Sequence, residues 1–113
     1  MPDSTPSRNL SSRPLLGPVG YARRVLDLVE NVPRGKVVSY GDIAEMLGDG
    51  GPRQVAQVMS RWGAEVPWHR VVRADGSCAA EIAGRQLPTL RRERVPMRPD
   101  GQRVDMRRAR WLP

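Results

Sequence analysis

Two short helical patterns joined by a glycine-rich turn constrain this chain most strongly. The first pattern follows Ser39, which has Asp42 three residues later and so carries a helix-capping signal. Its apolar residues fall on one helical face: Ile43, Ala44 and Leu47. The turn Gly-Asp-Gly-Gly then leads to Pro52, a residue suited to a first helical turn. Helix, tight turn and helix in this order predict a helix-turn-helix unit.

The second helix of this unit is predicted to have one apolar and one polar face. The residues expected to face the core are Val55, Ala56, Val58, Met59 and Trp62. The opposite face contains no acid and comprises Arg53, Gln54, Gln57, Ser60 and Arg61. Such a face suits a close approach to the phosphates of a nucleic-acid groove. Arg53 opposes the positive end of the helix dipole, so local stability does not require a cation there.

The neighbouring segments extend this unit into a mainly helical domain. Residues 21–32 carry apolar side chains at helical spacing. Residues 66–72 read VPWHRVV and predict an extended segment, and the Asp75-Gly76 turn after it predicts a short hairpin or wing. Residues 87–93 are helical only in part, because Pro88 lies near their start. The expected fold class is mainly α, a winged helix-turn-helix-like domain with a small β hairpin.

Composition divides the 113 residues into three parts. Residues 1–18 are rich in Ser and Pro and lack apolar periodicity, which predicts a disordered tail. Residues 19–94 form the predicted domain, which is large enough for one core. Residues 95–113 are poorly patterned and basic, and we expect them to form a C-terminal extension.

The formal net charge of +7 favours a polyanionic partner. Residues 91–113 hold eight arginines against three acidic residues. Nucleic acid is the first candidate partner and an anionic membrane surface the second, while a solvated, solubilising end accounts for the charge equally well. No apolar run approaches the roughly 20 residues of a membrane span, and no secretory h-region precedes the domain. We therefore expect a cytoplasmic, nucleoid-associated protein without a membrane partner.

One cysteine and one histidine limit the available chemistry. A single thiol, Cys78, excludes an internal disulfide and a thiolate zinc cluster. With His69 as the one imidazole and no carboxylate cluster in view, we predict neither a metal site nor a cofactor.

Three motifs then follow each other along the chain. They read VVSYGDIAEMLG at 37–48, PRQVAQVM at 52–59, and VPWHRVV at 66–72 with RADG directly after it. Together they resemble the DNA-binding domain of the O6-alkylguanine-DNA alkyltransferases. In that family the position of Trp68 is a cysteine that accepts the alkyl group and is consumed. A tryptophan there resembles the alkyltransferase-like proteins, which keep the scaffold and lack the acceptor.

The tryptophan removes the chemistry of the acceptor. Alkyl transfer needs a soft nucleophile such as a thiolate, whereas an indole offers one N–H donor and no usable lone pair. Cys78 lies beyond the Asp75-Gly76 turn, and nothing in the sequence brings it to the same pocket. We therefore expect that the protein is not an enzyme.

The resemblance also implies roles for individual residues. It implies that the second helix lies in the minor groove, that Arg53 fills the gap left by a flipped nucleotide, and that Tyr40 crowds the neighbouring phosphate. The residues expected to contact DNA are Tyr40, Arg53, Gln54, Gln57 and Arg61. The expected lesion pocket is lined by Tyr40, Val66, Pro67, Trp68, Arg70 and Val72. His69 and Glu93 are expected to form a structural network.

The resemblance therefore implies a monomeric, non-enzymatic sensor that flips O6-alkylguanine out of double-stranded DNA and flags it for nucleotide excision repair proteins. One alternative is a sequence-specific helix-turn-helix transcription regulator, which would be indifferent to alkylation. Another is an alkyltransferase that works through Cys78. The segment SCAAEIAG after the motif departs from the family, so a lesion contact from Glu81 or from Arg85 stays open.

Overall fold

The computed structural model describes residues 17–113, so most of the predicted tail 1–18 lies outside the described residues. In chain order the regular elements are α1 (Gly20–Glu30), β1 (Val38–Ser39), α2 (Tyr40–Leu47), α3 (Pro52–Trp62), β2 (Val71–Val72), α4 (Ala80–Arg92) and α5 (Met106–Ala109). Two 3-10 turns, Gly63–Glu65 and Trp68–Arg70, lie between α3 and β2. This confirms the mainly helical fold class. Over the described part of the chain, no helix has the length and apolar character needed to cross a membrane.

The two strands pair with each other in parallel, with Val38 opposite Val71 and Ser39 opposite Val72. The predicted hairpin is therefore wrong in its pairing. All four strand residues are buried, as is typical of strands paired in parallel and covered on both faces. The strand β2 is thus paired with a strand from far earlier in the chain and not with one that follows it.

The turn after β2 forms as predicted but no strand returns from it. The Arg73 N–H donates to the carbonyl of Ser77 at 3.0 Å, and the Gly76 N–H donates to the carbonyl of Arg73 at 2.8 Å. Gly76 has φ +85, and a Cβ there would lie 2.2 Å from the Val104 carbonyl oxygen, so only glycine fits. The chain then enters α4, so no second strand of a hairpin follows the turn.

Helix α4 is longer than predicted, because it starts at Ala80 and continues through Pro88. Tertiary contacts explain how the helix tolerates the proline. The Gln86 side chain is buried and donates to the carbonyls of His69 and Val71 at 3.0 and 2.8 Å. Leu87 and Leu90, on either side of Pro88, are also buried. These buried contacts outweigh the cost of the backbone hydrogen bond that Pro88 cannot donate.

The core consists of two apolar clusters on opposite sides of the strands. The first, formed with α1, α2 and α3, contains Val25, Val29, Val32, Val38, Ile43, Ala44, Val55 and Val71. The second contains Val37, Val72, Leu90, Val95, Val104 and Ala109. Three of the latter belong to residues 95–113, so part of the stretch expected as an extension packs against the domain.

On α3 the apolar stripe differs from the prediction at one residue. Val55 is buried, and the residues Val58, Met59 and Trp62 are partly buried. Ala56 is exposed, although it was predicted to face the core. It lies about 100° around the helix from Val55, which takes it out of the stripe.

The C-terminal residues hold the start of α2. The Val37 N–H donates to the Ala109 carbonyl at 3.0 Å, and the Trp111 N–H donates to the Val37 carbonyl at 2.8 Å. Between them, the Arg110 guanidinium donates to both carboxylate oxygens of Asp42, with Nη2 2.6 Å from Oδ1 and Nε 3.1 Å from each oxygen. The same carboxylate accepts the Ser39 N–H at 3.0 Å in a capping box. Burial acts to raise the pKa of Asp42, but the bonds from Arg110 and Ser39 prevail and lower it.

A second buried carboxylate joins α1, β2 and α4. Glu93 directly follows α4, and its Oε2 lies 2.9 Å from Nε2 of His69. Arg70 donates to Glu93 from Nε at 2.9 Å and from Nη2 at 2.8 Å, and its Nη1 donates to the Val32 carbonyl at 2.9 Å. The bonds from Arg70 outweigh burial and, with that from His69, lower the pKa of Glu93 to about 2.

Arg110→Ala should lower the free energy of unfolding by about 1–2 kcal/mol, since the buried Asp42 carboxylate loses its guanidinium partner. The loss stays below that of a fully buried pair because the Arg110 side chain is 41% exposed. Urea denaturation measures the change. Arg107→Ala, in the short helix α5 that precedes Arg110, is the control and should leave stability unchanged. Equal stability of the two variants would contradict the role of the pair.

The Glu93 network predicts a specific loss of stability in acid. The pKa of Glu93 is about 2 in the folded protein and ordinarily 4.5, so the unfolded state takes up a proton first as the pH falls. The stability contributed by the ionised Glu93 carboxylate is complete above pH 4.5 and is lost as the pH approaches about 2. Urea midpoints across this window should fall steeply for the wild type and less for Glu93→Gln. Glu81→Gln, at an exposed acid, should follow the wild type, and parallel curves for all three would refute the assignment.

Candidate nucleic-acid interface

A cavity of about 390 Å³ opens between α3, the turn Trp68–Arg70 and the start of α4. Its lining residues are Tyr40, Ala56, Met59, Ser60, Gly63, Ala64, Trp68, Ile82 and Arg85. Small-molecule sites in proteins have volumes of about 300–1,000 Å³, so this cavity suits one small ligand group. Its wall combines small and apolar residues of α3 with two aromatic rings and one cation.

The aromatic walls are fixed by the local backbone. Tyr40 is the first residue of α2, directly after the Ser39 cap and β1. Trp68 begins its 3-10 turn after Pro67, and its N–H donates to the Val66 carbonyl at 2.6 Å. Burial raises the pKa of the Tyr40 phenol, with Arg73 opposing this effect. The phenol therefore keeps its proton at neutral pH and is available as a donor.

The cation of the cavity lies against the tryptophan. Cζ of Arg85 is 5.3 Å from the centroid of the Trp68 ring, within the range of a cation–π contact. The His69 ring meets the same indole edge-on, with centroids 6.3 Å apart and an interplanar angle of 86°. His69, the next residue in sequence, and Arg85, on α4, thus orient the indole of Trp68. Glu81, the other residue considered for this wall, is exposed and does not line the cavity.

The one thiol does not line the cavity. Cys78 is half-buried and packs against the second core cluster. Burial raises the pKa of this thiol, which keeps it neutral and weakly nucleophilic at neutral pH. Among the described residues, no cluster of His, Cys, Asp and Glu could hold a metal ion. The cavity offers stacking surfaces and hydrogen-bond donors, with no activated nucleophile on its wall.

The polar face of α3 borders the cavity. Arg53, Gln54, Gln57 and Arg61 are all exposed. Gln54 Oε1 accepts the Gly51 N–H at 3.0 Å at the start of the helix, and the Arg61 guanidinium lies 5.1 Å from the Trp62 ring centroid.

The Arg53 side chain makes no hydrogen bond or ion pair with any residue in 17–113. It lies three and seven residues before Ala56 and Ser60 of the cavity wall, and this spacing puts all three on one side of α3.

Four residues expected in the pocket do not line it. Val72 is buried in the second core cluster, and Val66 packs against the first. The Arg70 guanidinium is occupied by Glu93 and the Val32 carbonyl. Pro67 is half-buried and precedes the turn. The 3-10 turn Trp68–Arg70 interrupts the predicted extended segment, so these neighbours of Trp68 do not share its position on the cavity wall.

Several wall residues were not expected from the sequence. They are Ala56, Met59, Ser60, Gly63, Ala64 and Ile82. Ile82 lies in the segment SCAAEIAG, and together with Arg85 it belongs to the first turn and a half of α4. Their spacing of three residues was the available signal, and Pro88 concealed it by arguing against a helix.

Comparison with known proteins agrees with this geometry. Residues 20–95 match the family model described as "6-O-methylguanine DNA methyltransferase, DNA binding domain". The "DNA base-flipping protein" of Escherichia coli strain K12 is 38% identical over 96 residues, which are 80% of this chain and 74% of that protein. A "Methylated-DNA--protein-cysteine methyltransferase" of Methanothermobacter thermautotrophicus is 41% identical over 69 residues, 59% of this chain but 39% of the methyltransferase.

The fold matches a solved structure of Schizosaccharomyces pombe Atl1 "in complex with damaged DNA containing O6-carboxymethylguanine". The TM-score is 0.71 at 31% identity, and the match covers 81% of this chain and 94% of that one. These findings confirm the resemblance carried by the three motifs. The chain belongs to the family of 6-O-methylguanine DNA methyltransferase DNA-binding domains.

Proposed function

We propose that this protein senses O6-alkylguanine in double-stranded DNA by taking the flipped base into the cavity beside Trp68, without removing the alkyl group. The observation that carries the proposal is the cavity itself: about 390 Å³, walled by Tyr40, Trp68 and Arg85, with no thiol on its wall. The match to Atl1, whose solved structure contains damaged DNA, supports it.

Helix α3 is the proposed DNA-contacting element. Its polar face supplies Arg53, Gln54, Gln57 and Arg61, with Tyr40 at the neighbouring start of α2. The Arg53 side chain is exposed, makes no hydrogen bond or ion pair with a described residue and shares a face with the cavity wall, which supports its insertion into the gap left by the flipped base. Minor-groove proteins commonly insert side chains between base steps in this way.

The cavity supplies interactions that can offset the unstacking of a base. Base–aromatic stacking contributes about 1–3 kcal/mol, and flipping costs a few kcal/mol. Trp68 offers the aromatic surface. Arg85 offers guanidinium donors for the acceptors N7 and O6 of guanine and a flat cation for stacking. Of the two residues considered for a lesion contact, the geometry supports Arg85 over Glu81.

The absence of transfer follows from the positions of Trp68 and Cys78. The indole has no thiolate-like lone pair to accept an alkyl group, and the thiol packs against the second core cluster with a raised pKa. Because the lesion would stay in the DNA, another activity must remove it. We propose that the persistent complex flags the lesion to nucleotide excision repair proteins, and that one copy acts alone because a single chain supplies the whole cavity wall.

A binding titration at matched salt tests lesion recognition. A duplex with one O6-methylguanine should bind more tightly than the same duplex without it. Arg53→Ala should weaken lesion binding by about 10- to 100-fold, equivalent to about 1–3 kcal/mol. Arg23→Ala removes an exposed cation from α1 and should keep the lesion preference. Equal affinity of the wild type for both duplexes would exclude the proposal and favour a regulator that reads sequence alone.

Intact-mass measurement tests the absence of transfer. After incubation with alkylated duplex, the wild-type mass should be unchanged, and Cys78→Ser should bind the lesion as the wild type does. An active methyltransferase of the family, assayed on the same duplex, is the positive control for transfer. A permanent mass increase in the wild type, abolished in Cys78→Ser, would instead identify an alkyltransferase.

A further inference from the structure

Arg73 is an exposed arginine that directly follows β2. The parallel register of the two strands pairs Ser39 with Val72. Continued by one residue, this register puts Arg73 opposite Tyr40, on strands that lie about 4.8 Å apart. Strand pairing therefore brings a cation beside the first residue of α2, which is an aromatic wall of the cavity.

The alternation of side chains along β2 predicts the side to which Arg73 points. Val71 packs in the first core cluster and Val72 in the second, because successive residues of a strand face opposite ways. Arg73 is next in this alternation and falls on the side of the first cluster, against which Tyr40 packs. The electrostatics agree with this placement, since burial raises the pKa of the Tyr40 phenol and the Arg73 guanidinium opposes the effect.

The backbone at Arg73 is fixed by the tight turn after β2. Its N–H donates to the Ser77 carbonyl at 3.0 Å, and its carbonyl accepts the Gly76 N–H at 2.8 Å. The Gly76 carbonyl in turn accepts the Val104 N–H at 2.9 Å, which ties the turn to the second core cluster. The Arg73 side chain thus extends from a rigid position beside the cavity.

Local structure does not account for an arginine at this position. The first position of a common β-turn favours Asp, Asn or Ser, whose side chains accept backbone N–H groups. Asp75, two residues on, directs its Oδ1 to the Ser77 N–H at 3.0 Å and to the Ser77 hydroxyl at 2.6 Å. Within residues 17–113, the Arg73 guanidinium makes no hydrogen bond or ion pair. Its charge is therefore available to an external anion.

The position of Arg73 suits the DNA backbone better than the base. Arg73 lies beside the cavity and is not among its wall residues. A base stacked on Trp68 would fill the cavity, while its sugar and the two flanking phosphates would stay at the mouth. Tyr40 joins the two regions, since it lines the cavity and neighbours Arg73. A guanidinium there can donate to phosphate oxygens in bidentate fashion.

We infer that Arg73 binds one of the two phosphates that flank the flipped nucleotide, next to Tyr40, and so holds the DNA backbone in its everted conformation. The inference rests on the proposed function, which supplies the flipped base. Because flipping rotates the nucleotide about its backbone, this contact forms with the flipped lesion and is missing from a stacked duplex.

Neutral phosphate analogues test the contact. Each of the two linkages that flank one O6-methylguanine is replaced in turn by a methylphosphonate, and affinities are measured by titration at matched salt. One of the two replacements should weaken wild-type binding by about 10-fold, because a charge-assisted contact is lost. Arg73→Gln should bind the unreplaced lesion duplex about 10-fold more weakly, with a salt slope lower by about 0.9. At the sensitive linkage this variant should lose much less affinity than the wild type, and it should bind undamaged duplex as the wild type does.

Arg23→Gln is the matched control, because it removes an exposed cation from α1 and should respond to both linkages as the wild type does. Equal sensitivity of Arg73→Gln and the wild type to both linkages, with the lesion preference intact, would overturn the inference and leave the proposed function standing. An equal loss by Arg73→Gln on lesion and undamaged duplexes would also overturn it. Equal affinity of the wild type for these two duplexes would refute the proposed function, and the inference with it.

Discussion

One buried carboxylate, that of Glu93, holds the two walls of the cavity in register. It binds His69 and Arg70, the two residues after Trp68, and it directly follows α4, the helix that supplies Arg85. A buried ion pair adds little stability compared with apolar residues of the same size, because desolvation offsets most of the Coulomb attraction, although breaking the pair is costly. The Glu93 network acts on geometry, because its several hydrogen bonds hold the turn Trp68–Arg70 in one position relative to α4. Pre-positioned walls reduce the ordering that a bound base would otherwise require.

The position of Tyr40, on the remaining wall of the cavity, depends on residues 109–111. Tyr40 starts α2, and the cap of that helix is completed by Asp42, which Arg110 binds. The C-terminal backbone also pairs with Val37 on both sides of Arg110. The helix-turn-helix unit is thus fixed by residues about 70 positions away. Two acidic groups, Asp42 in the first turn of α2 and Glu93 directly after α4, set the geometry of a site that contains no acid on its wall.

Local patterns predicted the parts of the fold that local physics decides. The α1 stripe, the Ser39 cap, the glycine turn and the Pro52 start are short-range signals, and those helices formed as expected. Parallel pairing of β1 with β2 and the burial of Gln86 in α4 are long-range, so neither was visible in sequence spacing. The motifs predicted two residues of the cavity wall, since Tyr40 and Trp68 both line the cavity. Neighbours of Trp68 were misplaced because a 3-10 turn alternates its side chains differently from a strand.

The central claim is that a damaged guanine leaves the helix and stacks on an inert indole beside a guanidinium. A crystal structure of the protein with a duplex that contains one O6-methylguanine tests this claim most directly. The account predicts the methylated base in the cavity, in contact with Trp68 and Arg85, with Arg53 in the vacated position of the stack and the methyl group still on O6. A complex in which the methylguanine remains paired within the duplex would contradict it.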